Sequence, residues 1–154
     1  MLVLGLPLHP LIVHLAVIML PLSALGAIAI ASRPAWSKRF GVIVVAGALV
    51  GAVAAFISKS SGENLARQVG APAEHVNYGN QLPVIALVFF LVVTIFWLLD
   101  RGIPGNRRRP PSLMILAGVV ILVAVGTIIW TVLTGHSGAE AVWGSVGAFA
   151  ATSQ

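Results

Sequence analysis

With 154 residues, 58% hydrophobic side chains and 8% charged ones, and a mean hydropathy of +1.02, the chain is excluded as a water-soluble globular domain and reads as an integral membrane protein. The lack of cysteine excludes disulfides, thiolate-held metals, iron–sulfur clusters and covalent haem attachment through C-x-x-C-H. A net charge of +5 would suggest nucleic acid in a soluble protein. Here the basic residues sit in short loops beside apolar runs, so the charge is a topology signal and nucleic acid is not an expected partner.

The first apolar run covers about residues 8–31 and stops at Ser32-Arg33-Pro34. The second covers about 40–58, the third 82–99 before Asp100-Arg101-Gly102, and the fourth 113–134 before Gly135. Each has the roughly twenty residues that a ~30 Å hydrocarbon layer requires. None alternates as a lipid-facing barrel strand does, so four helices are expected. No composition shift divides the chain, and residues 1–154 read as one all-α, four-helix membrane domain. Residues 1–7 carry neither a charged n-region nor a small-residue cleavage site, so the first span is expected to be retained.

Arg33, Lys38 and Arg39 lie between spans one and two, and Arg101, Arg107, Arg108 and Arg109 between spans three and four. The positive-inside rule places loops 32–39 and 100–112 in the cytoplasm. Loop 59–81 and both termini are then expected outside, where Glu63, Glu74 and Glu140 also fall.

On this topology His9, His14, His75 and His136 all belong to the outer end. His14 lies about 7 Å deeper than His9 at 1.5 Å of rise per residue. An ionisable group inside a span marks a cofactor, an ion or a proton path, or else an imidazole satisfied by a neighbouring helix. His9 precedes Pro10 and suits a helix start. The five positions from His9 to His14 turn through about 140°, so the two do not face one metal on a regular helix.

Ser60-Ser61-Gly62-Glu63 has capping-box spacing, which predicts a short separate helix over residues 64–69 stopped by Gly70. Pro72 then starts a helix carrying Glu74, His75 and Tyr78 into span three, with a kink at Pro83. His136 follows a Thr134-Gly135 corner. If the chain stays helical past Gly138, Glu140 stands one turn on, placed to orient the imidazole, while Trp130 and Trp143 suit interface anchoring. Gly47, Gly51 and Ala55 on span two, with Gly118 and Gly126 on span four, are expected to let helices approach closely. No Asp, Glu, Lys or Arg lies inside a span, which argues against an ion-coupled transporter or proton pump. Ser61-Gly62 after span two and Ser137-Gly138 after span four, with a histidine before spans one and three, form an internal echo of two related hairpins.

His9-Pro10-Leu11-Ile12-Val13-His14, Ser61-Gly62-Glu63 with His75, and Gly135-His136-Ser137-Gly138 resemble the bacterial four-helix membrane family called domain of unknown function 2231. The resemblance covers nearly the whole chain, and the paired-histidine motif is its most specific element. Leu15-Ala16 stands where members commonly show an aromatic residue and proline. The resemblance implies a bacterial plasma-membrane protein. Because some members are fused to Rieske-type iron–sulfur domains, it also implies a link to electron transfer or respiration.

A bis-histidine b-type haem needs two neutral imidazoles from different helices, an apolar slot and basic groups near its edge. His14 with His75 or His136 supplies such a pair, His9 a further ligand or second shell, and Lys59 or Arg67 a partner for propionates. A zinc, copper or iron site built from the same histidines, with Glu63, Glu74 or Glu140, is the competing reading. The carboxylates lack Glu-x-x-His spacing, which disfavours a di-iron bundle. A cofactor-free accessory subunit of a larger respiratory complex is the alternative from another class. No nucleophile sits with a general base, so a stand-alone enzyme is not expected. The partners implied are the bilayer, respiratory-complex subunits or a Rieske-type protein, and a second copy of the chain.

Overall fold

The computed structural model describes the backbone of residues 2–3, 6–104 and 107–152 and the side chains of 9–104 and 107–144; residues 105–106 of the basic loop and Met1 lie outside the described residues. Helices α1 (Leu8–Ser32), α2 (Pro34–Val69), α3 (Ala73–Arg101) and α4 (Pro111–Thr152) follow one another, preceded by a two-residue pairing of β1 (Leu2–Val3) with β2 (Leu6–Pro7). Each of the four is long and apolar enough to cross a membrane. The four expected spans lie one in each helix.

Proline sets most of the helix starts. Pro34 and Pro111 open α2 and α4, and Pro72 caps α3 in an extended conformation. A first-turn proline loses no hydrogen bond, because its missing N–H would have had no partner. Arg33, forced out of the α region by the proline after it, has φ −130° and ψ 110° and breaks α1 from α2 in a single residue. Gly70 ends α2 at φ 79°, a backbone conformation that costs glycine little, and its N–H returns to Ala66 O at 2.9 Å.

The helices form a ring in which α1 and α3 each pack against both α2 and α4. On α3 the buried residues are Leu82, Pro83, Ala86, Phe89, Val93, Phe96 and Asp100; among the described residues of α4 they are Leu113, Ala117, Val120, Ala124, Thr127, Thr131, Thr134 and Ser137. From Leu82 to Asp100, leaving aside Pro83, and from Leu113 to Thr134 the steps alternate between three and four, the seam of antiparallel bundle helices. The opposite faces carry exposed leucines, isoleucines and valines such as Leu122 and Ile115. An apolar exterior around a small core is what a lipid solvent permits.

Three sequence expectations are corrected. No separate helix begins at the capping-box residues: α2 runs unbroken to Val69. Ser60 Oγ donates to Phe56 O and Ser61 Oγ to Ser58 O, so these hydroxyls bond back to the helix they continue and start no new one. Likewise there is no corner at Gly135, since α4 continues through it. The glycine expectation divides. Gly47 and Gly51 do lie at the α1–α2 contact, where an added Cβ would stand 2.5 Å from Ser23 Oγ and 2.7 Å from Leu20 Cδ2. Gly118 and Gly126 have nothing within 4 Å of an added Cβ. Each is one position off the buried seam, about 100° round the helix from Ala117 and Thr127.

Candidate functional site

Because α1 and α3 start, and α2 and α4 finish, at the same end of the bundle, that end holds all four histidines. It is called here the terminal end, and the opposite one the loop end. Of the four rings only His9 and His75 are half-buried; His14 and His136 are exposed.

His9, in the first turn of α1, reaches across to α2. Its Nδ1 lies 2.9 Å from Ser58 O and 3.3 Å from Ser61 Oγ. A carbonyl only accepts, so Nδ1 carries the proton and donates it to Ser58 O, leaving the Nε2 lone pair free. The ring lies against Gly62, where an added Cβ would stand 2.8 Å from its Cε1.

His75, in the first turn of α3, meets α4 in the same way. Its Nδ1 lies 3.1 Å from Ser137 Oγ. Ser137 spends its own proton on Thr134 O at 3.1 Å, so its oxygen accepts from His75 Nδ1–H. Nε2 is again left free. The ring lies against Gly138, with 3.0 Å from an added Cβ to Cε1.

The internal echo in the sequence is therefore a repeated device. His9 on Ser61 and Gly62 corresponds to His75 on Ser137 and Gly138, one copy in each hairpin, and His9 alone adds a bond to a backbone carbonyl, Ser58 O. The two rings stand in the first turns of α1 and α3, the diagonal pair of the helix ring. A histidine held through Nδ1 with Nε2 free is the arrangement in which imidazoles ligate metals, the Nδ1 partner fixing both tautomer and ring direction.

The remaining expected site residues lie apart from this pair. His14 turns to the outside of α1, its Nδ1 bonded to Pro10 O one turn back. His136 pairs with Glu140 at 3.5 Å on the outer face of α4, on the continuous helix that the spacing required. These two line a shallow open depression with Ala139 and Trp143. Lys59 is partly exposed and reaches Glu63 at 3.9 Å, and Arg67 is exposed. Among the described residues no three of His, Asp or Glu come together as a metal-holding group. Trp130 is half-buried, donating through Nε1 to Tyr78 O at 3.4 Å with its ring edge-on to Tyr78 at 5.5 Å; Trp143 is exposed.

The loop end holds a second polar cluster, which the sequence reading treated only as a helix stop and a loop charge. Arg109 grips Asp100 with two parallel bonds of 2.8 Å, from Nε to Oδ1 and from Nη2 to Oδ2. It also donates to Ile30 O at 2.9 Å and to Ala31 O, two carbonyls at the C-terminus of α1. The pair is buried, at 9% and 3% side-chain exposure. One guanidinium thus ties together α1, α3 and the approach to α4. The sequence signal was Asp100 itself, the single acid beside seven basic residues at this end.

Four membrane-length helices in a closed ring, with polar clusters at its two ends, define a multi-pass membrane bundle. The chain belongs to the family described as "Predicted membrane protein (DUF2231)", which matches residues 5–150. No curated protein and no solved structure matches the chain.

Proposed function

We propose that the terminal end holds a redox cofactor between His9 and His75, a b-type haem, and that the protein serves electron transfer or respiration at the outer face of the bacterial plasma membrane. The observation that carries this reading is that both rings are anchored through Nδ1 with Nε2 left free, by the same device in two hairpins. Two imidazoles are the full protein donor set of a six-coordinate haem, whereas a zinc or non-haem iron site needs three or four donors. The pair His9 and His75 therefore suits haem better than a histidine-rich metal site. It replaces the pairing of His14 with His75 or His136, because His14 and His136 face outward.

The haem would supply reversible one-electron chemistry. The chain's residues bind and orient: Ser58, Ser61 and Ser137 hold the imidazoles, Gly62 and Gly138 give the rings room, and Lys59 and Arg67 stand near the same end for propionates. Arg33, Lys38, Arg39, Arg101, Arg107 and Arg108 at the loop end support a cytoplasmic placement of loops 32–39 and 100–112, with the termini and loop 59–81 outside.

The same hydrogen bonds support a second reading. His9 ties α1 to α2 and His75 ties α3 to α4. Such latches would stiffen a cofactor-free accessory subunit of a respiratory assembly, with a Rieske-type protein among its neighbours.

The visible spectrum of detergent-purified protein, oxidised and dithionite-reduced, separates the two. The haem reading expects a Soret band with sharp reduced bands, lost in His9→Ala and in His75→Ala and kept in His14→Ala and His136→Ala. Protein that stays colourless when haem is supplied during expression overturns it and favours the accessory subunit.

A further inference from the structure

The loop end carries positive charge that no carboxylate there balances. Arg33, Lys38, Arg39, Arg101, Arg107 and Arg108 are exposed there, and the single carboxylate at that end, Asp100, is held by Arg109. Three of these cations lie over aromatic rings: Arg33 over Trp36 at 4.9 Å, Arg39 over Phe40 at 5.1 Å and Arg101 over Trp97 at 4.9 Å. Basic groups backed by aromatic rings at the end of a membrane helix occupy the headgroup level of the bilayer.

At one place cations from two helices flank a packed seam. Trp97 of α3 lies hard against Gly41 of α2, in space that a side chain at 41 would fill. Arg101 stands one turn beyond Trp97, at the end of α3. Lys38 stands one turn from Gly41 on α2 and donates from Nζ to Ile103 O at 2.8 Å, which brings its ammonium to the end of α3. That carbonyl takes one of the ammonium's three N–H groups and does not neutralise its charge. Asp100 is also near Lys38, but both its oxygens are taken by Arg109. No connecting loop joins α2 to α3 at this end.

We propose that Lys38 and Arg101 clamp the phosphodiester of an anionic phospholipid at the loop end of the α2–α3 seam. Trp97 is the headgroup-level platform, and the acyl chains run along the apolar exterior. The occupant is a lipid because the two cations sit where exposed apolar helix gives way to polar loop. It is an anionic one because two cations with no free carboxylate leave an excess of positive charge that a zwitterionic headgroup does not neutralise.

Native mass spectrometry of the full chain in detergent, titrated with phosphatidylglycerol or with phosphatidylcholine of the same acyl chains, tests the site. The wild type should retain phosphatidylglycerol in preference. Each removed charge should weaken retention on the order of fivefold, so Lys38→Gln/Arg101→Gln should lose most of the preference, while Arg107→Gln/Arg108→Gln, which removes the same charge from the loop, keeps it. Equal retention of the two lipids overturns the proposal. So does an equal loss in the two double variants, which would indicate a diffuse field, or displacement of the lipid by glycerol phosphate, which would indicate a soluble phosphate. Circular dichroism of both double variants shows that the bundle is intact.

Discussion

The His9 ring rests on Gly62 so closely that a methyl group there would stand 2.8 Å from Cε1. Contacts of that length are repulsive, and the ring is also held by Ser58 O, so it has little room to retreat. Gly62→Ala should push His9 off its anchor and cost about 1–3 kcal/mol of stability. Gly138→Ala, with 3.0 Å to the His75 ring, should have the same effect at smaller size. Thermal unfolding in detergent compares the two. An unchanged midpoint in Gly62→Ala would show that the berth is not tight.

Both clasped imidazoles should carry their proton on Nδ1. Nitrogen-15 spectra of histidine-labelled protein above neutral pH should show two rings locked in that tautomer. Ser137→Ala removes the acceptor of His75 and should release that ring alone to the tautomer mixture of a free imidazole, leaving His9 locked.

The Asp100–Arg109 pair should be the most sensitive polar contact in the chain. Arg109→Leu leaves a buried carboxylate and the carbonyls of Ile30 and Ala31 without their partner, a loss of about 3–5 kcal/mol. The double variant Asp100→Leu/Arg109→Leu should recover part of that, because the stranded charge is gone. Unfolding of both variants measures the difference. A double variant no better than the single would show that the carbonyl contacts, and not the carboxylate, dominate.

The glycines should separate into two classes. Gly41→Ala meets the Trp97 ring and should destabilise strongly, by about 1–3 kcal/mol or more. Gly118→Ala and Gly126→Ala point into open space, where alanine favours the helix by roughly 0.5–1 kcal/mol. Unfolding midpoints lowered in the first and equal or raised in the other two are the expected pattern.

The four spans and the α3 start at Pro72 were legible because span length and proline position are local properties; Pro34, read as the stop of the first run, also opens α2, ahead of the run expected from about residue 40. The repeated Ser-Gly and histidine signals were legible too, although only the structure turns them into contacts. What the chain order does not encode is rotation about each helix axis. Spacing shows that His9 and His14 point about 140° apart, yet which of them meets α2 depends on how α1 packs. For the same reason Gly47 and Gly118 look alike in the sequence and lie on opposite kinds of face. Ser60 and Ser61 fit a cap as well as they fit a helix interior, and the choice falls to the carbonyls one turn back. Asp100 and Arg109 are separated by a loop whose path brings them together, and no periodicity foretells that.

Since α1 and α3 start from the same end, the two hairpins enter the bilayer in the same sense, each with its own basic turn: Arg33, Lys38 and Arg39 in one, Arg101, Arg107, Arg108 and Arg109 in the other. Under the positive-inside placement proposed above, the same orientation signal is therefore written twice. A mutation that strips the positive charge from one turn leaves a complete instruction in the other, and the clasps at the far end hold each half to its own helical partner. On the proposed orientation, with loops 32–39 and 100–112 inside, the two turns carry the same sign of bias, so removing charge from one leaves the other unchanged.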